Sequence, residues 1–211
     1  MRFTYIIILL SATLVTAFLY RKRSPLCTNL FLAFITASLA IEIGASILKY
    51  TFDANNLWLY NIYMYMAFLF WFWRLAQNQG AGSIKRFWIA TAALALATLV
   101  ENLLLSGFFQ VNSLVFAIGT LAFVILFITR IYYSFGRKDE LIPGYEMMFL
   151  SAGLGFFVIF FVDTLLYPTG LLSKPFWAGL NLDQVLTRFT NYYFYLLLMF
   201  SIVVSANRTK A

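Results

Sequence analysis

Four charged side chains lie inside apolar stretches of this 211-residue chain. They are the acids Glu42, Glu101 and Asp163 and the base Arg188. If consecutive stretches cross a membrane in opposite directions, all four residues lie toward the same side of that membrane. Each is then roughly 7 to 10 Å from the midpoint of its stretch, at a helical rise of 1.5 Å per residue. Charges in hydrocarbon are costly and are expected to pair or to face a protein interior or a wet cavity. The four residues therefore predict a polar layer at one depth of a membrane bundle.

Further polar residues share helical faces with these charges. Lys49 lies seven residues after Glu42, and Asn191 and Tyr195 lie three and seven residues after Arg188. Residues at such spacings share one face of a helix. The predicted ligand-binding residues are Glu42, Lys49, Tyr60, Asn61, Tyr63, Glu101, Asp163, Arg188, Asn191 and Tyr195.

Two readings of this layer stay open. In the first, its residues line a polar pocket that binds a small ligand. In the second, they form structural ion pairs, such as Arg188 with Asp163, which hold helices together without any ligand. Because three acids accompany one arginine, structural ion pairs alone would leave carboxylates of this layer without a basic partner. That surplus slightly favours the pocket.

The composition indicates what kind of element carries these residues. Apolar residues make up 63% of the chain and charged residues 11%, and the mean hydropathy is +0.84. Soluble domains are far more charged, so the chain is expected to be an integral membrane protein. Seven stretches have about the 17 to 25 residues that a spanning helix needs. They lie near residues 4–20, 26–49, 57–76, 87–106, 112–133, 145–167 and 183–205.

These stretches predict an all-α fold, a seven-transmembrane-helix bundle that forms a single domain over residues 1–211. Eleven of the 15 Lys and Arg residues flank one side of the bundle and four lie on the other. The positive-inside rule then places the N-terminus outside and the C-terminus in the cytoplasm. The net charge of +7 is thus interpreted as a signal for orientation, and no nucleic-acid partner is expected.

Several chemistries are excluded by missing residues. The chain has no histidine, which removes imidazole-ligated haem, most zinc sites and histidine-based acid–base catalysis. Its one cysteine, Cys27, cannot form an internal disulfide. The last stretch lacks the lysine that a retinal protein needs. No catalytic residue, metal site or cofactor is predicted.

The run 55–63, Asn-Asn-Leu-Trp-Leu-Tyr-Asn-Ile-Tyr, resembles the start of the third helix in small seven-helix membrane proteins of Bacteroidetes-type bacteria. It is similar, more loosely, to the seven-helix sensory modules of membrane histidine kinases. In those modules an Asn-Asn pair and two tyrosines open the third helix, and an acid often follows where this chain has Ala67. The resemblance covers the second and third stretches. It implies an outward-facing sensor in a bacterial inner membrane that signals to a cytoplasmic kinase.

The first functional prediction is therefore a multi-pass sensory or signalling module in the bacterial inner (plasma) membrane. A small ligand would bind in the outer half, and cytoplasmic loops would relay the signal. The expected partners are membrane lipids, a separate cytoplasmic signalling protein such as a kinase, and a second copy of the chain in a homo-oligomer. The alternatives are a small transporter or proton pathway and, less favoured, a lipid-modifying enzyme.

Overall fold

The computed structural model describes residues 2–21, 26, 28–77, 81–105, 112–136, 142–166, 175–177 and 180–208. Within these ranges the chain forms seven α-helices and one short antiparallel hairpin. The helices are α1 Arg2–Arg21, α2 Asn29–Thr51, α3 Leu57–Ala76, α4 Ala81–Val100, α5 Ser113–Gly136, α6 Gly144–Leu166 and α7 Leu182–Arg208. A π-helical turn, Glu101–Leu105, continues α4. The hairpin strands are β1 Pro175–Trp177 and β2 Leu180–Asn181.

A helix occupies each of the seven predicted stretches, and the differences lie at their ends. α2 begins at Asn29 because the Thr28 hydroxyl accepts the Phe31 N–H at 3.2 Å and caps the helix. α4 begins at Ala81, six residues before the predicted residue 87, and its added residues 81–86 include Ser83, Lys85 and Arg86. Hydropathy marks the part of a helix that suits a membrane and does not mark where the helix ends.

Within the described ranges, five helical segments are long and apolar enough to cross a membrane. They are Asn29–Thr51, Ile84–Leu105, Ser113–Phe135, Gly144–Val162 and Val185–Asn207. The apolar part of α1, Ile6–Tyr20, is shorter. α3 falls outside this group because its sequence is rich in tyrosine and tryptophan and also carries Asn61 and Arg74. The architecture is that of a multi-pass α-helical membrane protein.

The chain divides into two compact units, one of which comprises Thr28–Pro143. In this four-helix unit α3 packs against α2, α4 and α5. Its core is aromatic: Phe68, Trp71 and Phe123 are fully buried, and the Trp71 and Phe123 rings meet edge to face at 6.0 Å. A Cβ at Gly119 of α5 would lie 2.5 Å from the Phe68 ring. The glycine therefore permits the close approach of α5 to α3.

The other unit comprises Met1–Cys27 and Gly144–Ala211. Its α7 packs against α6 and α1, and the β1–β2 hairpin contacts α7. A Cβ at Gly155 of α6 would lie 2.6 Å from the Tyr193 ring, so the α6–α7 contact also depends on a small residue. The hairpin was not part of the all-α prediction. It is the only β-structure within the described ranges.

Candidate functional site: polar clusters of the four-helix unit

The Asn-Asn pair of the sequence motif joins α3 to α2. The Asn55 side-chain oxygen accepts the Leu57 N–H at 2.9 Å, which satisfies a free donor at the start of α3. Asn56 Nδ2 donates to the Ala45 carbonyl of α2 at 3.1 Å. The pair therefore starts α3 and also fixes its position against α2.

Further contacts continue along the same α2–α3 seam. The Tyr60 hydroxyl donates to Glu42 Oε2 at 2.9 Å, and both side chains are half-buried. The Tyr63 ring stacks on Phe34 at 6.3 Å, and Phe34 stacks on Phe70 at 4.4 Å. The seam thus changes from hydrogen bonds to aromatic stacking as α3 proceeds. Of the predicted site residues, Glu42 and Tyr60 are brought into direct contact.

Glu101 has a different role from Glu42. Its side chain is 1% exposed, and Oε2 accepts the backbone N–H groups of Leu114 and, at 3.3 Å, of Val115. These amides belong to the first turn of α5, where N–H groups lack helical acceptors and the helix dipole favours a negative charge. The Glu101 carboxylate therefore caps α5 from the adjoining helix.

A second buried cluster adjoins this cap. The side-chain amides of Asn102 and Asn112 both donate to the Tyr65 hydroxyl of α3. Asn102 Nδ2 also donates to the Thr98 carbonyl at 2.8 Å. The Oδ1 atoms of Asn102 and Asn112 are buried and have no hydrogen-bond donor, and Asn112 is only 2% exposed. A buried acceptor in this condition costs about 1 to 3 kcal/mol. Such atoms commonly mark the place of an ordered water or a ligand donor.

Tyr65, Asn102 and Asn112 are not among the site residues predicted from the sequence. Asn102 directly follows Glu101 in an otherwise apolar stretch, and Asn112 begins the next stretch. Two asparagines at facing ends of consecutive spans were a usable signal. Their convergence on one tyrosine hydroxyl needs the packing of α3, α4 and α5, which local sequence does not encode.

Lys49 and Asn61 are two other predicted residues of this unit. Lys49 is 51% exposed at its side chain, and its ammonium lies 3.2 Å from Asp53. Asp53 has a φ of 46°, the left-handed conformation that ends many helices. Asn61 is 4% exposed, within α3. Their part in ligand binding stays a prediction.

The remaining predicted residues belong to the other unit. Arg188 and Asn191 are half-buried on α7, while Tyr195 is 1% exposed with its ring 4.9 Å from that of Phe194. Asp163 lies in α6, and its side chain is outside the described residues. Both the pairing of Arg188 with an acid and the common depth of the four charges stay predictions.

The fold and the site together define a multi-pass helical membrane protein with a buried cluster of amide, phenol and carboxylate groups. Within the described ranges no group of three or more Cys, Asp or Glu side chains could hold a metal ion. Comparisons with protein-family models, with curated proteins and with solved structures find no match to this chain.

Proposed function

We propose that this chain is a seven-span membrane sensory module that binds a small ligand at the outer end of α3, α4 and α5. It would relay binding, as a shift of these helices, to a separate cytoplasmic partner such as a kinase. The N-terminus would lie outside and the C-terminus inside, in a bacterial inner membrane. α1 and α3 would cross the membrane together with the five more apolar helices.

The observation that carries the proposal is the pair of buried amide oxygens without donors, Asn102 Oδ1 and Asn112 Oδ1. Hydrocarbon offers no donor, so these oxygens need water or a ligand. The two amide oxygens are acceptors without a donor, and the acceptor sites of the Tyr65 hydroxyl are already taken by the two amide N–H groups. The ligand class that fits is a small molecule with N–H or O–H donors, such as a primary ammonium or a polyol.

The motif at 55–63 supports sensing over transport. Its resemblance is to sensory modules, and its side chains tie α3 to α2 through the Asn56–Ala45 and Tyr60–Glu42 hydrogen bonds. A ligand that moves Tyr65 of α3 would therefore also move α2. A two-position arrangement of packed helices is a common basis for signalling across a protein.

The direct test measures ligand-dependent thermal stability of the detergent-purified chain. Methylamine, ethanolamine, glycerol and sodium chloride serve as probes, and we expect at least one donor-bearing probe to raise the melting temperature. The increase should vanish in Asn112→Leu and persist in Ser113→Ala, which changes the exposed neighbouring residue. The site assignment is wrong if no probe stabilises the wild type, or if the increase survives in Asn112→Leu.

A second measurement separates sensing from the transporter alternative. The stabilising probe, in radiolabelled form, is offered to proteoliposomes that contain the chain. We expect binding without net uptake above that of protein-free vesicles. Uptake that is lost in Asn112→Leu would assign the chain to transport instead.

A further inference from the structure

Two arginine side chains meet at the end of α3 that lies away from the amide cluster. Arg74 Nη1 donates to Gln77 Oε1 at 2.9 Å, and Arg130 Nη1 of α5 donates to the Gln77 carbonyl at 2.6 Å. Gln77 is the residue that ends α3. The C-terminus of a helix carries free carbonyls and a partial negative charge, so guanidinium groups are favoured there. One residue thus holds the two arginines together.

A third guanidinium joins them from α4. The Arg86 Cζ lies 4.7 Å from the centre of the Tyr133 ring, and Tyr133 is on α5 about one turn beyond Arg130. Arg130 is 8% exposed, and Arg74 and Arg86 are half-buried. The protein therefore positions all three guanidinium groups at one end of the four-helix unit. We call Arg74, Arg86 and Arg130 the arginine cluster.

The cluster lies in a basic part of the unit. Among the described residues of this unit, four basic residues belong to this end, Arg74, Lys85, Arg86 and Arg130. The described acids Glu42, Asp53 and Glu101 lie toward the opposite end, near the start of α3 or of α5. Partly buried guanidinium groups with a surplus of charge favour an anion, and their planar forks match the oxygens of a phosphate.

Exposed aromatic side chains flank the cluster. Trp88 is 62% exposed, Tyr132 74% and Phe135 76%. Tryptophan and tyrosine concentrate at the membrane–water boundary, at the depth of the lipid headgroups. The phosphates of the lipid headgroups lie at this depth, and anionic lipids are attracted by clustered basic residues.

We propose that the arginine cluster is a binding site for the headgroup phosphate of an anionic phospholipid. The three guanidinium groups contact the phosphate oxygens, and the exposed aromatic residues contact the upper acyl chains. This site is separate from the amide cluster and does not depend on the function proposed above. It makes an anionic lipid a specific partner of the junction of α3, α4 and α5.

Native mass spectrometry of the detergent-purified chain tests the proposal, with phosphatidylglycerol as the probe and phosphatidylcholine as the neutral reference. We expect phosphatidylglycerol to bind more tightly, and Arg74→Gln and Arg86→Gln each to weaken it about tenfold, which corresponds to about 1.4 kcal/mol. Lys49→Gln removes an exposed basic charge outside the cluster and should leave binding unchanged. Binding in both arginine variants equal to that of the wild type overturns the proposal.

Two measurements on the unmodified chain keep the test independent of whether the variants fold. Phosphatidylglycerol binding should fall steeply with added salt, because screening weakens contacts between charges. Salt-independent binding contradicts a phosphate site. Millimolar inorganic phosphate should not displace the lipid, since the aromatic residues add contacts to the acyl chains. If phosphate or a phosphopeptide displaces it completely, the cluster recognises a soluble phosphate and the assignment to lipid is wrong.

Discussion

At the scale of single residues, Glu42 and Glu101 are acids of the same type in different surroundings. Glu101 is 1% exposed and accepts two backbone N–H groups at the start of α5. Glu42 is half-buried and accepts the Tyr60 hydroxyl across the α2–α3 seam. Removal of Glu101 leaves amide donors of another helix buried without acceptors. Removal of Glu42 takes an acceptor from a phenol that lies partly exposed. The two substitutions should therefore differ in cost.

We predict that Glu101→Ala lowers the free energy of unfolding by about 2 kcal/mol, since it removes a helix cap and leaves buried donors unsatisfied. Asp53→Asn is the control, since asparagine tolerates the positive φ of this residue. It removes the charge of an acid that is 91% exposed and forms an exposed salt bridge with Lys49, and it should cost less than about 1 kcal/mol. Thermal unfolding in the same detergent measures both. Equal melting temperatures for the two variants would show that Glu101 does not cap α5.

The Tyr60–Glu42 hydrogen bond gives a second prediction at this scale. A double-mutant cycle with Tyr60→Phe and Glu42→Leu should give a coupling energy of about 1 kcal/mol, because the wild-type hydroxyl donates to a half-buried carboxylate and leucine offers no acceptor. The control cycle pairs Glu42→Leu with Tyr63→Phe, a change that keeps the aromatic ring stacked on Phe34. The control substitutions should be additive. Additivity in both cycles would show that the Tyr60–Glu42 hydrogen bond does not stabilise the contact between α2 and α3.

At the scale of elements, glycines set how closely helices approach. Gly119 of α5 faces the Phe68 ring of α3, and Gly155 of α6 faces Tyr193 of α7. In lipid, close packing of helix backbones is a main source of association, because apolar surfaces gain little by leaving the lipid tails. Each contact lies within one of the two units. Replacement of either glycine by alanine, which adds a single methyl group, should therefore lower the stability of its unit.

Gly119→Ala tests this packing. The new Cβ would lie 2.5 Å from two carbons of the Phe68 ring, so the ring or the helix must move, at a cost of about 1 to 3 kcal/mol. Gly144→Ala is the control, since a Cβ there has no neighbour within 4 Å. We expect a clear drop in melting temperature for Gly119→Ala and little change for Gly144→Ala. A similar small effect in both variants would mean that the α3–α5 contact is looser than described.

At the scale of the whole molecule, the number of crossings decides which ends of the helices share a compartment. In the part of the chain that the structure describes, five helical segments are long and apolar enough to span a membrane. The seven-span proposal adds α1 and α3, and it places residue 55 outside and the C-terminus inside. The 11-to-4 division of Lys and Arg residues supports this orientation.

Single cysteines introduced at Asn55 and Ala211 in a Cys27→Ser background test the topology. An impermeant thiol reagent applied to intact cells should label the cysteine at 55 and not the one at 211. After permeabilisation both should react, which controls for buried or folded-over sites. Labelling of both positions, or of neither, in intact cells would contradict the seven-span arrangement.

The sequence by itself determined the helical membrane class and the approximate position of every helix. These properties are local: an apolar run of about 20 residues forms a helix in lipid whatever its neighbours are, since its backbone groups must bond within the segment. The helix ends were less predictable. The start of α2 depends on the single side chain of Thr28, and α4 begins at Ala81, before the apolar run that hydropathy detects.

Only the tertiary structure decided what each polar side chain contacts. Glu101 is a single charge in an apolar run of the sequence, as Arg188 is. Only the packing of α4 and α5 shows that the Glu101 carboxylate caps a helix that begins at residue 113. Tyr65 contacts asparagines 37 and 47 residues further along the chain. Arg130 reaches Gln77, 53 residues before it. Such contacts depend on how each helix is rotated about its axis and on how neighbouring helices pack. Because successive side chains point about 100° apart around a helix, the sequence of one helix does not show which neighbour each side chain reaches.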